Sequence, residues 1–159
     1  MHTKVCSGST AMEGAIKYAM FNTGRREIIT FRRSHHGQTF YTMNMSGFSF
    51  RSESFPVAKQ ALHCVSYPAD RVYPDDSGID DHLVVMNDIK NVLRFNSQNQ
   101  IAAIVIEPIL GNGGGFVCSR PFLHELRDFC TDNGICLIFD EIQTGIGWTC
   151  PALVESFRL

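Results

Sequence analysis

Apolar residues recur with two different periods along the chain, and these periods predict an alternation of strands and helices. Two unbroken apolar runs, residues 101–106 and 135–139, predict strands buried on both faces of a parallel sheet. Each run ends in a carboxylate, Glu107 in one case and Asp140 in the other. Since open α/β sheets bind ligands at the carboxyl ends of their strands, these carboxylates are either paired structural groups or ligand contacts.

Helical spacing fills the intervals between the strands. Thr10 and Glu13 have the spacing of a capping box, which predicts a helix from about residue 10 to Phe21, closed by Gly24. Two more helices are predicted, one capped by Asp80 or Asp81 and ending near Phe95, the other opening at Pro121 and capped by Gly134.

The remaining segments complete the order of elements. Short strands are predicted at 27–31 and 61–65, and a loop at 73–78. Residues 41–60 are rich in Ser, Phe and Met without a clear period, and we expect them to form a surface segment. Strands that alternate with helices in this way predict an α/β fold, with a mostly parallel sheet flanked by helices.

Composition narrows the class of protein. The chain has 159 residues, 44% hydrophobic and 19% charged, which predicts a globular domain. The net charge of -2 gives no reason to expect nucleic acid or an anionic membrane as a partner. No apolar run approaches the roughly 20 residues that a membrane-spanning helix requires. The six cysteines lack Cys-x-x-Cys spacing, so we expect free, mostly buried thiols in a reducing compartment rather than disulfides.

Three places along the chain carry candidate ligand chemistry. Gly8 and Ser9 precede the predicted start of the first helix, where bare N–H groups bind anions such as phosphate, although an ordinary capped helix has the same pattern. His35 and His36 lack a third ligand at a usual metal-binding spacing, so a ring facing a planar ligand is favoured over a metal site. The glycines at 111–115 lack the P-loop signature, which favours a plain loop over a phosphate cradle.

Five sequence blocks, in their order and spacing, resemble the class-III aminotransferases. They are SGSTAMEGAIK (7–17), TGR (23–25), HGQT (36–39), IEPILGNGG (106–114) and DEIQTGIG (140–147). That family binds pyridoxal 5′-phosphate (PLP) on the fold-type-I scaffold. The resemblance therefore implies that residues 1–149 are an incomplete PLP-binding large domain, and that residues 150–159 are a divergent tail.

The resemblance also implies roles for particular residues. Gly8 and Ser9 match the residues that hold the PLP phosphate, and Asp140 matches the aspartate that keeps the pyridinium nitrogen protonated. The other matches are Gln143 near the phenolic oxygen, Ile142 against one ring face, and Glu107 near the cofactor or substrate. His35 stands where the family usually stacks Tyr or Phe on the ring, and histidine offers less area there.

One residue of the family pattern has no counterpart in this sequence. The family's Schiff-base lysine lies downstream of the Gln-Thr-Gly turn, and none of Lys4, Lys17, Lys59 and Lys90 matches it. We therefore expect this chain to bind PLP weakly and non-covalently and not to transaminate alone. The stop shortly after a divergent tail indicates a truncated gene product, an alternative transcript or a broken reading frame. Two alternatives stay open: a non-catalytic PLP-binding or dimerising remnant, and an α/β phosphate- or nucleotide-binding module that uses the loop at 111–115.

Further expectations concern the parent family. Its substrates are an amino acid, often with an ω-amino group, and a 2-oxo acid, and its members form homodimers. The resemblance implies a cytoplasmic location, with a mitochondrial one open for the parent protein.

Overall fold

The structure is a computed structural model that describes residues 6–48, 61–68 and 81–145. The predicted helices and strands occur in the predicted order, and one short helix and one short hairpin that were not predicted are added to them. The elements are α1 (Gly8–Thr23), β1 (Glu27–Phe31), α2 (Phe40–Met45), β2 (Leu62–Val65), α3 (Asp81–Asn91), a π-helical turn (Val92–Asn96), β3 (Ile101–Ile106), β4 (Ile109–Leu110), β5 (Phe116–Val117), α4 (Arg120–Asp132) and β6 (Cys136–Phe139).

A parallel sheet forms the middle layer, with its strands in the order β2-β1-β3-β6. Ile29 of β1 pairs with Ile104 of β3, and Ile104 pairs in turn with Leu137 of β6. Parallel pairing brings the carboxyl ends of all four strands to one edge of the sheet. The predicted α/β fold with flanking helices is therefore confirmed.

Each face of the sheet packs against its own helices. Alternating side chains of β1 and β3 point to opposite faces, so that Ile29 joins α3 and α4 in one core, whereas Ile28 joins α1 in the other. All six residues of β3 are buried, as their unbroken apolar run predicted. The strand that carries Glu107 is thus fixed from both sides.

The prediction that residues 135–139 are buried on both faces is only partly correct. Ile135 is buried, but all four residues of β6 are partly exposed. Within the described sheet β6 pairs with β3 alone and lies at one end, so that one of its edges is uncovered. An apolar run therefore identified the strand correctly without revealing its place in the sheet.

Helix α1 begins earlier than predicted, and a different residue pair forms its capping box. Ser7 is the N-cap, its Oγ accepting the N–H of Thr10 at 3.3 Å, and Thr10 Oγ1 accepts the N–H of Ser7 at 3.1 Å. The predicted box of Thr10 with Glu13 is wrong, because the Glu13 carboxylate accepts the hydroxyl of Thr39 instead. As a result, Gly8 lies within the first turn of the helix rather than before it.

The prediction of a surface segment is wrong for residues 41–45. They belong to α2, in which Thr42, Met43, Asn44 and Met45 are buried. A helix this short shows too little of its period in the sequence to be recognised. Residues 49–60, the predicted loop at 73–78 and the predicted tail at 150–159 lie outside the described residues.

The later helices end close to their predicted positions. Helix α3 continues into the π-helical turn, which ends one residue beyond Phe95. Helix α4 begins one residue before Pro121, with Ser119 as N-cap, and Gly134 follows its C-cap with a φ of 61°. The described parts of the chain contain five cysteines and no disulfide among them; two of the five are buried and two are exposed.

Candidate cofactor site

A cavity of about 270 Å³ lies at the carboxyl edge of the sheet, between the N-terminus of α1 and the turn after β6. All the residues that the resemblance assigned to cofactor binding line this cavity: Gly8, Ser9, His35, Asp140, Ile142 and Gln143. They come from three separate parts of the chain. His36, Gly37 and Gln38, which carried no assigned role, line it as well.

One end of the cavity presents the first turn of α1. The N–H groups of Gly8 and Ser9 have no intrahelical partner there, and the helix dipole adds partial positive charge. Ser9 Oγ accepts the N–H of Gln38 at 3.1 Å, which ties this turn to the loop after β1. Gly37 has a φ of 133°, and a Cβ there would lie 2.3 Å from Ser9 Oγ. Because Gly37 has no side chain, the loop after β1 can approach the first turn of α1 closely. The free N–H groups of that turn suit a phosphate group.

The other end of the cavity contains a buried histidine–carboxylate pair. His36 Nδ1 lies 2.7 Å from Asp140 Oδ2, with side-chain exposures of 0% and 8%. Among the described residues, His36 Nε2 is buried without a hydrogen-bond partner. A protonated ring would bury an N–H that no acceptor satisfies, whereas a neutral ring leaves only a lone pair. We therefore assign the neutral tautomer, in which Nδ1–H donates to the Asp140 carboxylate.

Helix α2 positions His36 in this pair. The backbone N–H of His36 donates to Ser46 Oγ at 3.2 Å, and Ser46 Oγ donates to the carbonyl of Thr42 at 3.0 Å. For the His36 ring the sequence indicated only a metal or a planar ligand, and the pairing of His36 with Asp140 was not predicted. The available signal was its place just beyond the carboxyl end of β1, on the same edge of the sheet as Asp140.

Glu107 lies next to the cavity without lining it. One carboxylate oxygen accepts the N–H of His35 at 2.6 Å, and the other accepts the N–H of Gly111 at 3.1 Å. Burial raises the pKa of Glu107 above its ordinary value, because it outweighs these two hydrogen bonds, and the charge of Asp140 acts in the same direction. Glu107 therefore joins the loop after β1 to the loop after β3.

Ile142 and Gln143 form the outer wall of the cavity. Ile142 is 65% exposed, and its Cδ1 would lie 3.0 Å from a Cβ on Gly8. Its backbone N–H donates to Asp140 Oδ1 at 3.2 Å, which fixes the turn after β6. Gln143 is exposed and lies against Gly111.

The glycine-rich loop at 111–115 connects β4 and β5 in a hairpin. The N–H of Gly114 donates to the Gly111 carbonyl at 3.3 Å, and that of Gly115 donates to the Leu110 carbonyl at 2.9 Å. Since the Gly111 N–H donates to Glu107, these three donors are used within the protein. The loop therefore does not have the row of open N–H groups that a phosphate cradle requires.

The described parts of the chain contain no group of three or more His, Cys, Asp or Glu residues arranged to hold a metal ion. No helix in them is long and apolar enough to span a membrane.

Solved structures share this fold. An amine transaminase from an uncultivated Pseudomonas species, solved with PLP bound, is 25% identical with a TM-score of 0.80, covering 89% of this chain and 34% of its own. The taurine:2-oxoglutarate aminotransferase of Bifidobacterium kashiwanohense, solved with PLP and glutamate, is 28% identical with a TM-score of 0.77, covering 90% of this chain and 33% of its own. The fold is thus that of the fold-type-I PLP-dependent transaminases.

The sequence comparison defines the family more narrowly. The model for aminotransferase class-III matches residues 2–152, and the chain belongs to that family, whose cofactor is PLP. The 5-aminovalerate aminotransferase of Pseudomonas aeruginosa is 38% identical over 91% of this chain, and the 4-aminobutyrate aminotransferase of Escherichia coli is 35% identical over 91%. The chain spans about a third of the length of these curated relatives, 33% in each case.

Proposed function

We propose that the described residues bind PLP, and that they serve the transfer of an amino group from an ω-amino donor to a 2-oxo acid. The observation that carries the proposal is the convergence of six separately assigned residues on one cavity. The relatives named for 5-aminovalerate and 4-aminobutyrate support the donor class, and the neighbour named for 2-oxoglutarate supports the acceptor.

The cavity fits PLP in size and in charge. Its volume of about 270 Å³ lies just below the roughly 300–1,000 Å³ typical of ligand pockets, which suits a small cofactor. The first turn of α1 offers N–H donors to a phosphate, and Asp140 offers a carboxylate to a cationic ring nitrogen. When bound, PLP supplies an electron-withdrawing ring that stabilises negative charge on the substrate carbon.

The residues of this chain then have separate tasks. Gly8 and Ser9 bind the phosphate, and Asp140 holds the proton on the ring nitrogen. His36 keeps the Asp140 carboxylate oriented by donating Nδ1–H. Ile142 and His35 line the same cavity and would lie against the ring and exclude water from it.

An absorbance titration with PLP tests the proposal. Asp140→Asn retains an acceptor for His36 but removes the charge that the ring nitrogen needs. A hydrogen bond to a charged group contributes about 1.5–3 kcal/mol, so we expect affinity to fall by roughly tenfold to a hundredfold. Glu125→Gln, which removes a carboxylate on α4, is the matched control. Equal affinities of wild type and Asp140→Asn would contradict the proposal.

We also propose that PLP binds non-covalently to these residues. Lys17 lies on the outer face of α1 and Lys90 pairs with Glu125, and neither lines the cavity. Borohydride reduction followed by peptide mapping is expected to give no single labelled lysine, with a full-length class-III enzyme as the positive control. A stoichiometric adduct at one lysine would overturn this. The homodimer, the cytoplasmic location and the divergent tail at 150–159 remain predictions.

A further inference from the structure

Gly111 has a neighbour that leaves no room for a side chain. A Cβ at Gly111 would lie 1.7 Å from Gln143 Oε1 and 2.7 Å from Gln143 Cδ. The carboxamide of Gln143 therefore lies directly against the Cα of Gly111. The φ of Gly111 is not in the left-handed region, so its backbone conformation does not require glycine. Position 111 therefore requires glycine because Gln143 occupies the space that a side chain would need.

The surface on which Gln143 rests is itself fixed. The N–H of Gly111 donates to a Glu107 oxygen at 3.1 Å, and the Gly111 carbonyl accepts the N–H of Gly114 at 3.3 Å. Glu107 is 4% exposed, and its other oxygen holds the backbone of His35. The position of Gly111 is thus tied through Glu107 to His35, which lines the cavity.

We propose that Gly111 is a positioning residue that holds the Gln143 carboxamide at the mouth of the cavity, ready to donate to an anionic oxygen of a bound aromatic ring. This rests on the proposed function, in which that oxygen is the phenolate of PLP. An exposed glutamine otherwise samples many rotamers and loses that freedom on binding. Because Oε1 lies nearest Gly111, the carboxamide NH₂ is the group left for the ligand.

The structure also predicts how the molecule responds when this space is filled. The atom that an alanine at 111 meets is the far end of a flexible side chain, not backbone. Gln143 therefore moves away while the fold persists. Gly115→Ala is a matched control in the same loop, since a Cβ there has no heavy atom within 4 Å, although its φ of 75° strains the backbone.

The first test uses the chain without cofactor, by NMR of the side-chain amide of Gln143, assigned by its loss in Gln143→Ala. We expect a nuclear Overhauser effect between that NH₂ group and the α protons of Gly111. In Gly111→Ala the Gln143 signals should shift, whereas in Gly115→Ala they should stay. Unchanged Gln143 signals in Gly111→Ala would overturn the inference, whether or not the chain binds PLP.

The second test is a double-mutant cycle on PLP affinity. Gly111→Ala should weaken PLP binding by about tenfold, as the loss of one hydrogen bond does, when Gln143 is present. In the Gln143→Ala background the same change should have an effect of less than about twofold. An equal loss in both backgrounds would overturn the positioning role while leaving PLP binding intact. If wild type fails to bind PLP, the proposed function fails, and the NMR result alone decides whether Gly111 positions Gln143.

Discussion

Two clusters of this molecule contain the same kinds of side chain and differ in their surroundings. At the carboxyl edge of the sheet, His36 pairs with Asp140 beside Glu107, and all three are largely buried. Between α3 and α4, His82 Nε2 lies 2.6 Å from Glu125 Oε2, whose carboxylate is 37% exposed. The second cluster includes a full cation, because Lys90 Nζ lies 3.3 Å from Glu125 Oε1.

The two clusters differ in whether the described side chains balance the charge of their carboxylates. The surface cluster balances its carboxylate with Lys90 and gains little stability, as exposed ion pairs generally do. The buried cluster places two carboxylates next to one histidine, and the described residues that line the cavity include no lysine or arginine. Buried charges are normally paired, so this excess of negative charge suits a cationic ligand such as a protonated ring nitrogen.

Removing the histidine from each cluster should give the largest contrast. His36→Ala leaves Asp140 without its donor and opens a buried cavity, so we expect the free energy of unfolding to fall by about 2–4 kcal/mol. His82→Ala exposes its partner to solvent and loses an edge-on contact with Phe122 at 5.4 Å, for a loss of about 1 kcal/mol. Urea unfolding followed by circular dichroism measures both.

The control for that pair is His36→Asn, whose side-chain amide can retain a donor toward Asp140. It should recover part of the loss if the hydrogen bond matters, and none if only cavity volume does. Equal losses for His36→Ala and His82→Ala would remove the distinction between the two clusters.

The sequence predicted the strands that build this edge and the carboxylates on it, because both follow from local patterns. The apolar run before Asp140 and the one before Glu107 needed no tertiary information. The pairing of His36 with Asp140 joins residues 104 positions apart, and it depends on β3 lying between β1 and β6. Strand order of that kind leaves no trace in periodicity.

The resemblance added what local patterns lacked, but its blocks could not predict short-range packing. It brought Gly8 and Gln143 into one hypothesis although they are far apart in the chain. It gave no sign that α2 would be helical, or that Ser46 would hold the backbone of His36. A six-residue helix stabilised by burial of Thr42–Met45 owes its existence to tertiary contacts rather than propensity.

The two glutamates should respond to pH in opposite directions. Burial raises the pKa of Glu107, so its contribution to stability is full below the ordinary value of 4.5 and is lost as pH rises through its folded pKa. Partial burial alone would raise the pKa of Glu125, but the hydrogen bonds from His82 and Lys90 outweigh it and lower the pKa. The contribution of Glu125 is therefore present above 4.5 and is lost as pH falls through its folded pKa.

The measurement is the urea midpoint between about pH 3 and pH 8 for wild type, Glu107→Gln and Glu125→Gln. Glu107→Gln should remove the loss of stability above pH 4.5. It should also lower the free energy of unfolding by about 1–3 kcal/mol, because one backbone N–H is left without an acceptor. Glu125→Gln should flatten the plot of urea midpoint against pH only below pH 4.5. If the urea midpoints of the two variants changed with pH in the same way, the difference in burial would not shift the two pKa values in opposite directions.

The smallest expected effect concerns Lys90, the cation of the surface cluster. Its side chain is 53% exposed and its bond to Glu125 is long, so Lys90→Ala should lower the free energy of unfolding by less than about 0.5 kcal/mol. The loss should disappear near 1 M salt, where the Debye length is about 3 Å. Lys17→Ala, on the exposed side of α1, controls for the change in net charge. If Lys90→Ala lowered the free energy of unfolding by more than about 1 kcal/mol at every salt concentration, the Lys90–Glu125 pair would behave as a buried ion pair. The two clusters would then no longer differ in the way proposed here.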